Sequence, residues 1–434
     1  MTKTVAIYTL GCKVNAYESE AVKEQFVKRG YHVTDFDCVS DVYIINTCTV
    51  THLGDRKSRQ MIRRTKQHNP DAVLVVMGCY AQTAPEAVAE IPEVDIVLGS
   101  GDKGSVAEVV EQFFATRERC CHVSDIGEEQ TFEELSVTTY EDRSRAFLKV
   151  QDGCNNFCSY CIIPYARGRI RSRSMENCIK EAKRLCENGF SEIVLVGIHL
   201  ASYGKENGGP YLIDLLSALH EIDGICRIRM GSLEPTLFDE AFAEKVASLP
   251  KICRHFHLSL QSGCDETLWR MNRKYTTADY AQAVETIRKH MPNAAITTDI
   301  MTGFPVETDA EFEKTMEFVK KIHFADAHIF KYSVRKGTKA ENMSGQVAAQ
   351  TKESRSRRLI ALTKASKQQF LAGYVGQTVK VLFEQQHKDK PCIYEGKTDN
   401  YITVLVKSES NICGDFCDVT IVGEQNGYAL GELL

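Results

Sequence analysis

With 434 residues, 43% of them hydrophobic and 26% charged, the chain has the composition of a globular protein of two or three domains and not that of a disordered or fibrous one. A formal net charge of −5 excludes a globally basic nucleic-acid binder, so any such contact must come from local patches. The 17 cysteines come without a signal-peptide pattern and without an apolar run approaching the roughly 18 residues of a membrane span, which points to a reducing, cytoplasmic setting.

The first part alternates strand and helix signals. Apolar runs at Thr4–Leu10, Asp41–Thr47, Ala72–Gly78 and Val94–Gly99 read as strands. Between them lie helical patterns at Asn15–Gly30, His52–His68 and Ala84–Ile91, and a last helix reaches about Thr116. Continuously apolar strands separated by helices predict a doubly wound parallel α/β domain over 1–126. Cys12, Cys48 and Cys79 fall just after three of the strands, at the carboxyl edge where open parallel sheets bind ligands. Two readings fit: three ligands of a metal cluster drawn from three strand ends, or three buried structural cysteines. The segment GSGDKG (99–104) matches GxGxxG, but it follows the fourth strand and no βαβ unit continues from it, which argues against a dinucleotide site.

A polar, acidic stretch from Gly127 to Arg145 reads as a linker. A second βα series then spans 140–370. Its strands fall at Ala146–Gly153, Glu192–Gly197, Cys226–Ser232, His255–Gly263, Ala294–Phe304 and Ala327–Ser333. Six repeats predict a partial parallel (β/α)6 barrel whose active site lines the carboxyl ends of its strands. A basic helix runs from Lys352 to about Phe370, and the face Arg56–Arg64 is basic too; both suit phosphate tracks. Past Gly373 only strand signals remain, predicting a small antiparallel β-barrel over 372–434 of the kind that binds oligonucleotides, or a stability or oligomerisation module.

The densest chemistry is QDGCNNFCSYCIIPYARGRIRSR, Gln151 to Arg173. Cys154, Cys158 and Cys161 stand in CxxxCxxC spacing where the first barrel strand ends. A structural zinc site wants a fourth Cys or His nearby. Three thiolates suit a [4Fe–4S] cluster with one iron open, shielded by Phe157 and Tyr160. Arg167, Arg169, Arg171 and Arg173 follow at alternate positions, the spacing of one face of an extended segment. They read as grips for a carboxylate or a phosphate, or as a solvated surface. Gly197, Glu234, Ser259 and Gln261 lie at later strand ends, as candidates for contacts to a cofactor or base.

This CxxxCxxC loop after the first strand of a partial barrel resembles the radical S-adenosylmethionine enzymes. The words LGCKVN, NTCTV, GCYAQ, PYARGRIRSR, VGIHLASYG, SLEP, SLQSG and DIMTGFPVET, with the late β module, are similar to those of the methylthiotransferase family over essentially the whole chain. RGRIRSR and GIHLASYG resemble the branch that acts on N6-threonylcarbamoyladenosine; the isopentenyladenosine branch typically carries an acidic residue at the place of Arg169. The resemblance implies a radical-SAM barrel, a TRAM-like C-terminal barrel, S-adenosyl-L-methionine and two [4Fe–4S] clusters. Cys154, Cys158 and Cys161 would hold the radical-generating cluster, and Cys12, Cys48 and Cys79 an auxiliary, sulfur-carrying one. It implies methylthiolation of carbon 2 of the adenosine at tRNA position 37, with an electron donor such as flavodoxin or ferredoxin. Alternatives are isopentenyladenosine or a ribosomal-protein aspartate as substrate, or a non-enzymatic iron–sulfur RNA-binding protein.

Overall fold

The computed structural model describes residues 2–49, 52–140 and 144–434; the side chains of residues 52, 53, 55 and 56 lie outside the described set. The last residue of NTCTV, residues 141–143 of the linker and the Arg56 side chain are therefore outside the described residues.

The N-terminal sheet has six strands: β1 (Thr4–Thr9), β2 (His32–Thr34), β3 (Val42–Thr47), β4 (Val73–Gly78), β5 (Ile96–Leu98) and β6 (Cys120–His122). All pair parallel, in the order β2-β1-β3-β4-β5-β6. Every residue of β3 and β4 is buried, as expected for strands covered on both faces. One face packs Val22 and Phe26 of the helix Lys13–Lys28 with Val106, Val110 and Phe113. The other packs Met61, Ile62, Tyr80 and Val88. β2 and β6 add to the four strands expected; each has three residues and lies at an edge, too short to leave a periodic signal.

The middle of the chain supplies β7 (Arg145–Asp152), β8 (Arg171–Ser172), β9 (Glu192–Gly197), β10 (Arg227–Met230), β11 (Ser232–Leu233), β12 (His255–Leu258), β13 (Ala295–Thr302) and β14 (Asp326–Lys331). β7, β9 and β10 run parallel, as do β12, β13 and β14, and a parallel bridge from Ile228 to Ile252 links the two sets. This gives the six βα strands expected, with β8 added antiparallel to β7. β14 does not pair with β7, so the ring stays open.

The last strands, β15 (Thr378–Gln386), β16 (Ile393–Lys397), β17 (Thr403–Lys407), β18 (Phe416–Gln425) and β19 (Tyr428–Leu433), close into a barrel. It is not wholly antiparallel: β17 and β19 pair parallel. An odd number of strands cannot alternate direction around a closed ring, so one parallel pair is required.

The three units are tightly joined. Val14, Tyr17 and Ala21 of the first helix share one apolar cluster with Phe147 and Leu148 of β7. Leu135, Val137 and Tyr140 bury the expected linker in that same cluster, so it is a packed strap. Arg227 and Arg229 of β10 donate to the carbonyls of Lys380, Lys397, Thr398 and Asp399, which docks the C-terminal barrel. No described helix is long and apolar enough to cross a membrane.

Candidate cluster and cofactor site

β7 delivers the cysteine loop. Gly153 takes φ +72°, and a Cβ there would lie 1.7 Å from the Arg169 carbonyl oxygen, so only glycine fits. The loop is pinned on both sides. Cys154 N–H donates to the Gly168 carbonyl at 3.0 Å, Ser159 N–H to that of Met271 at 3.0 Å, and the Asn272 amide to that of Phe157 at 3.0 Å. Burial pushes the Cys154 thiol up to about 11 and Cys161 up to about 12, so the free thiols hold their protons. A bound metal charge is what draws such protons off.

Around the thiols runs a polar network. Arg273 donates to Cys158 Sγ at 3.2 Å and to Glu234 Oε1 at 2.7 Å. The Asn156 amide donates to the same oxygen at 3.2 Å, and His199 Nε2 lies 3.4 Å from it. Burial would raise the Glu234 carboxyl, but the contacts from His199 and Arg273 outweigh it and hold it below the usual range. Asn156, His199 and Arg273 also line the candidate site, and the sequence did not single them out; only His199 and Asn156 lie in quoted motifs.

Cys154, Cys158 and Cys161 open into a cavity of about 960 Å³ that also receives Gly11 and Cys12 of the N-terminal sheet, Gly197, Glu234, Ser259 and Arg273 of the barrel, and Lys397 and Tyr401 of the C-terminal barrel. Gln261 is not among the lining residues; its φ is +67° and its backbone is tied to Asp299 and Met301 of β13. At Gly197 a Cβ would meet Gln151 Oε1 at 3.0 Å.

The other three cysteines gather at the switch point of the N-terminal sheet, where the strand order turns between β1 and β3. Cys12 begins the helix Lys13–Lys28, Cys48 follows β3 and Cys79 opens the helix Cys79–Thr83. A Cβ on Gly11 would lie 2.9 Å from Cys48 Sγ, so glycine makes room for that thiol beside Cys12. Burial raises the Cys12 thiol, with Arg167 opposing and Cys79 reinforcing. Cys12 has solvent-accessible surface yet is deeply enclosed, because that surface belongs to the cavity.

Among the described residues no three Cys, His, Asp or Glu converge as ligands of a single ion. Thiolates of a zinc site stand only roughly 4 Å apart, since Zn–S is about 2.3 Å. Cubane ligands bind different irons and stand wider, so each triad fits a cluster in donor type and number.

The four arginines part ways. The segment is a helix at Ile163–Arg167 before it becomes extended at β8, so they do not share one face. Arg167 is fully buried, bonded to Glu18, Asn15, Asp152 and Cys79 Sγ. Arg171 donates to the Arg167 and Arg169 carbonyls, and Arg173 pairs with Glu134 and Glu181. Arg169 alone is exposed, with its guanidinium 4.9 Å from the Phe157 ring.

The basic helix is observed at Ala349–Ala372, and much of its charge is paired internally: Arg355 to Glu307 and Asp309, Arg358 to Glu313, Lys367 to Asp326. Arg59, Arg63 and Arg64 line an exposed depression on the helix His52–His68, with Arg64 paired to Asp37 at 2.9 Å and Arg59 donating to the Tyr80 hydroxyl at 3.1 Å. In GSGDKG, Lys103 is buried against Glu18 at 3.4 Å, a structural use of that loop.

Three family profiles match: Uncharacterized protein family UPF0004 over residues 4–99, the Radical SAM superfamily over 148–319 and the TRAM domain over 372–434. The threonylcarbamoyladenosine tRNA methylthiotransferase MtaB of Bacillus subtilis is 42% identical over 99% of this chain and 95% of its own length. MtaB of Aquifex aeolicus is 39% identical over 92% and 96%. The tRNA-2-methylthio-N(6)-dimethylallyladenosine synthase of Finegoldia magna is 32% identical over 99% and 94%. Among solved structures, the radical S-adenosylmethionine methyltransferase TsrM from Kitasatospora setae, with cobalamin and a [4Fe-4S] cluster bound, superposes with a TM-score of 0.59. It covers 79% of this chain and 77% of its own at 15% identity, a likeness of fold.

Proposed function

The chain belongs to the radical S-adenosylmethionine methylthiotransferase family, and on that premise we propose that it installs a methylthio group on N6-threonylcarbamoyladenosine in tRNA. Identities of 42% and 39% to threonylcarbamoyladenosine enzymes, against 32% to a dimethylallyladenosine enzyme, support this substrate. The target would be carbon 2 of adenosine 37, giving 2-methylthio-N6-threonylcarbamoyladenosine. One observation carries the reading: a single cavity is lined by Cys154, Cys158 and Cys161 together with Cys12, and it reaches the C-terminal barrel.

Cys154, Cys158 and Cys161 would hold one [4Fe–4S] cluster and Cys12, Cys48 and Cys79 a second, with S-adenosyl-L-methionine beside Gly197, Glu234 and Ser259. These groups, when bound, supply the radical that removes the carbon 2 hydrogen and the sulfur and methyl that replace it. The chain's own part is placement. Glu234, fixed by Arg273 and Asn156, presents an ionised carboxylate to the cavity, suited to an ammonium or hydroxyl. Gly197 keeps the end of β9 free of a side chain, and Gly153 sets the turn of the loop. Walls from three units surround the reacting groups and limit side reactions there. Arg59, Arg63 and Arg64 offer a phosphate track, and Arg169 with Phe157 an exposed cation–aromatic pair for the RNA. A one-electron donor such as flavodoxin or ferredoxin would complete the system.

The test is the nucleoside profile of tRNA from a strain lacking the chain. 2-Methylthio-N6-threonylcarbamoyladenosine should vanish while N6-threonylcarbamoyladenosine accumulates. An unchanged profile overturns the reading, and loss of a methylthio-isopentenyladenosine instead assigns the other substrate.

A further inference from the structure

The cavity follows the inner face of the barrel. His255, His257 and Ser259 of and after β12, Ala295, Thr297 and Asp299 of β13, and His328 and Phe330 of β14 all line it, the alternation of inward-facing positions. The four steps from His255 to Ser259 rise about 13 Å. So the space runs from the cysteine loop, at the carboxyl ends, toward the amino ends of the strands.

There the wall is cationic and comes from all three units: Lys13 of the first helix, Arg229 of β10 and Lys397 of β16. Among the described residues, Lys13 Nζ makes no hydrogen bond or ion pair, and its exposed surface faces the cavity. Arg229 is held by Glu192 at 2.7 Å and by the Thr398 and Asp399 carbonyls. The same Glu192 also serves Arg145 at 3.7 Å and Arg227 at 3.6 Å; Glu384 pairs with Arg145 at 2.9 Å and Glu395 lies 3.9 Å from Lys397, so these five cations outnumber the three acids paired with them. Tyr401 stacks on His255 at 4.6 Å, with Lys397 5.0 Å and Arg229 4.9 Å from its ring. The acids lining the rest of the cavity are engaged elsewhere: Glu234 with Arg273, Asp299 with His257 and Asp326 with Lys367.

A neutral imidazole stands beside these cations. His255 is 7% exposed and its Nε2 meets Thr297 Oγ1 at 2.9 Å, while its Nδ1, without a partner among the described residues, is turned away from the open space. Burial, then Arg229, keeps the ring neutral by lowering it well below the ordinary range.

We propose that Lys13, Arg229, His255, Lys397 and Tyr401 form a carboxylate-recognition pocket that takes the threonylcarbamoyl acid of the substrate and rejects neutral, apolar N6 substituents. This deepens the proposed function and rests on it. Seven bonds separate carbon 2 of the base from that carboxylate carbon, roughly 8 Å when extended. A base with its reacting carbon near the cysteine loop thus brings the acid within reach of the lysines. An isopentenyl arm would leave Lys13 without a counter-charge, the kind of mismatch that polar sites reject strongly. The acid-gripping role expected of Arg167–Arg173 thereby moves to residues scattered along the whole chain.

The test compares two anticodon stem-loop substrates with the reconstituted holoenzyme, one carrying the free threonylcarbamoyl acid and one its neutral methylamide. The reading is the ratio of their kcat/KM values, which does not depend on the fraction of enzyme correctly loaded. The wild type should prefer the acid by roughly 10- to 100-fold. Lys397→Met and, independently, Lys13→Met should bring the ratio close to one, whereas Lys397→Arg should keep it. Equilibrium binding of the same two stem-loops should show the same loss of preference. A wild-type ratio retained in both methionine variants overturns the pocket. A wild type that cleaves S-adenosylmethionine but methylthiolates neither stem-loop overturns the proposed function instead.

Discussion

Arg167 Nε donates to Cys79 Sγ at 3.2 Å, while the same guanidinium reaches Asp152 at 3.3 Å, two residues before Cys154. One buried side chain thus ties the N-terminal cysteine triad to the strand that delivers the radical loop. The tie is ionic on both sides. Glu18 accepts from Arg167 and from Lys149, the latter at 2.7 Å, and Lys103 lies 3.4 Å away. Lys149 also pairs with Asp152 at 2.6 Å. A donor on a ligating sulfur also withdraws charge from whatever metal group that sulfur binds.

Replacing Arg167 with methionine should destabilise the chain by about 3–5 kcal/mol, because Glu18 and Asp152 keep buried charges with fewer partners. Urea unfolding of the metal-free protein measures this. A loss below about 1 kcal/mol would show the network relaxing around the gap, and the tie would then not be what holds the two units in register.

The same network sets an acid limit. Burial alone would raise the Glu18 carboxyl, but Arg167, Lys103 and Lys149 outweigh it and hold it at about 2, below its ordinary 4.5. A depressed carboxyl stabilises the fold fully above its unfolded value and loses that contribution as pH falls toward the folded one. Stability should therefore drop between about pH 4.5 and pH 2, and Glu18→Gln should flatten that part of the profile while lowering stability at pH 7. Unfolding midpoints across this range check both signs; an equally steep acid decline in the variant would assign the effect to other carboxyls.

The barrel strands were legible because each carries apolar residues at successive or alternate positions over a strand's length, and Cys12, Cys48 and Cys79 could be placed because each follows an apolar run. The arginine run misled. Alternate spacing reads as one extended face, yet Pro164 sits in the first turn of a helix that ends at Gly168, and this rotates Arg167 inward. Its partners Glu18 and Asn15 lie 149 and 152 residues away, beyond any local pattern. The cationic wall was hidden for the same reason: Lys13, Arg229 and Lys397 sit in three different units, and of the three only Lys13 falls in a quoted motif, LGCKVN, where the cysteine drew the reading. Strands β2 and β6, three residues each, gave too little sequence for a period.

Gly153→Ala should remove the radical loop's geometry at once. The added methyl would overlap the Arg169 carbonyl, and φ +72° disfavours any L side chain. S-adenosylmethionine cleavage should fall by more than about tenfold, since small displacements at a reacting centre cost about 10²-fold. Iron bound through Cys12, Cys48 and Cys79 should remain, because Gly153 touches none of them. Near-wild-type cleavage would mean that the loop is held by its other anchors, Ser159 and Asn272.

If the two cysteine triads hold separate clusters, their losses must separate as well. The reconstituted wild type should bind about eight irons per chain, two clusters of four. Replacing Cys12, Cys48 and Cys79 together with alanine should leave about four, still able to cleave S-adenosylmethionine to 5′-deoxyadenosine through the intact loop, while methylthio product disappears. Replacing Cys154, Cys158 and Cys161 should also leave about four irons but abolish the cleavage. Iron content and 5′-deoxyadenosine, measured on the same samples, distinguish the sites without relying on product. Around four irons in the wild type, unchanged by the first triple substitution, would reduce Cys12, Cys48 and Cys79 to structural thiols at a switch point.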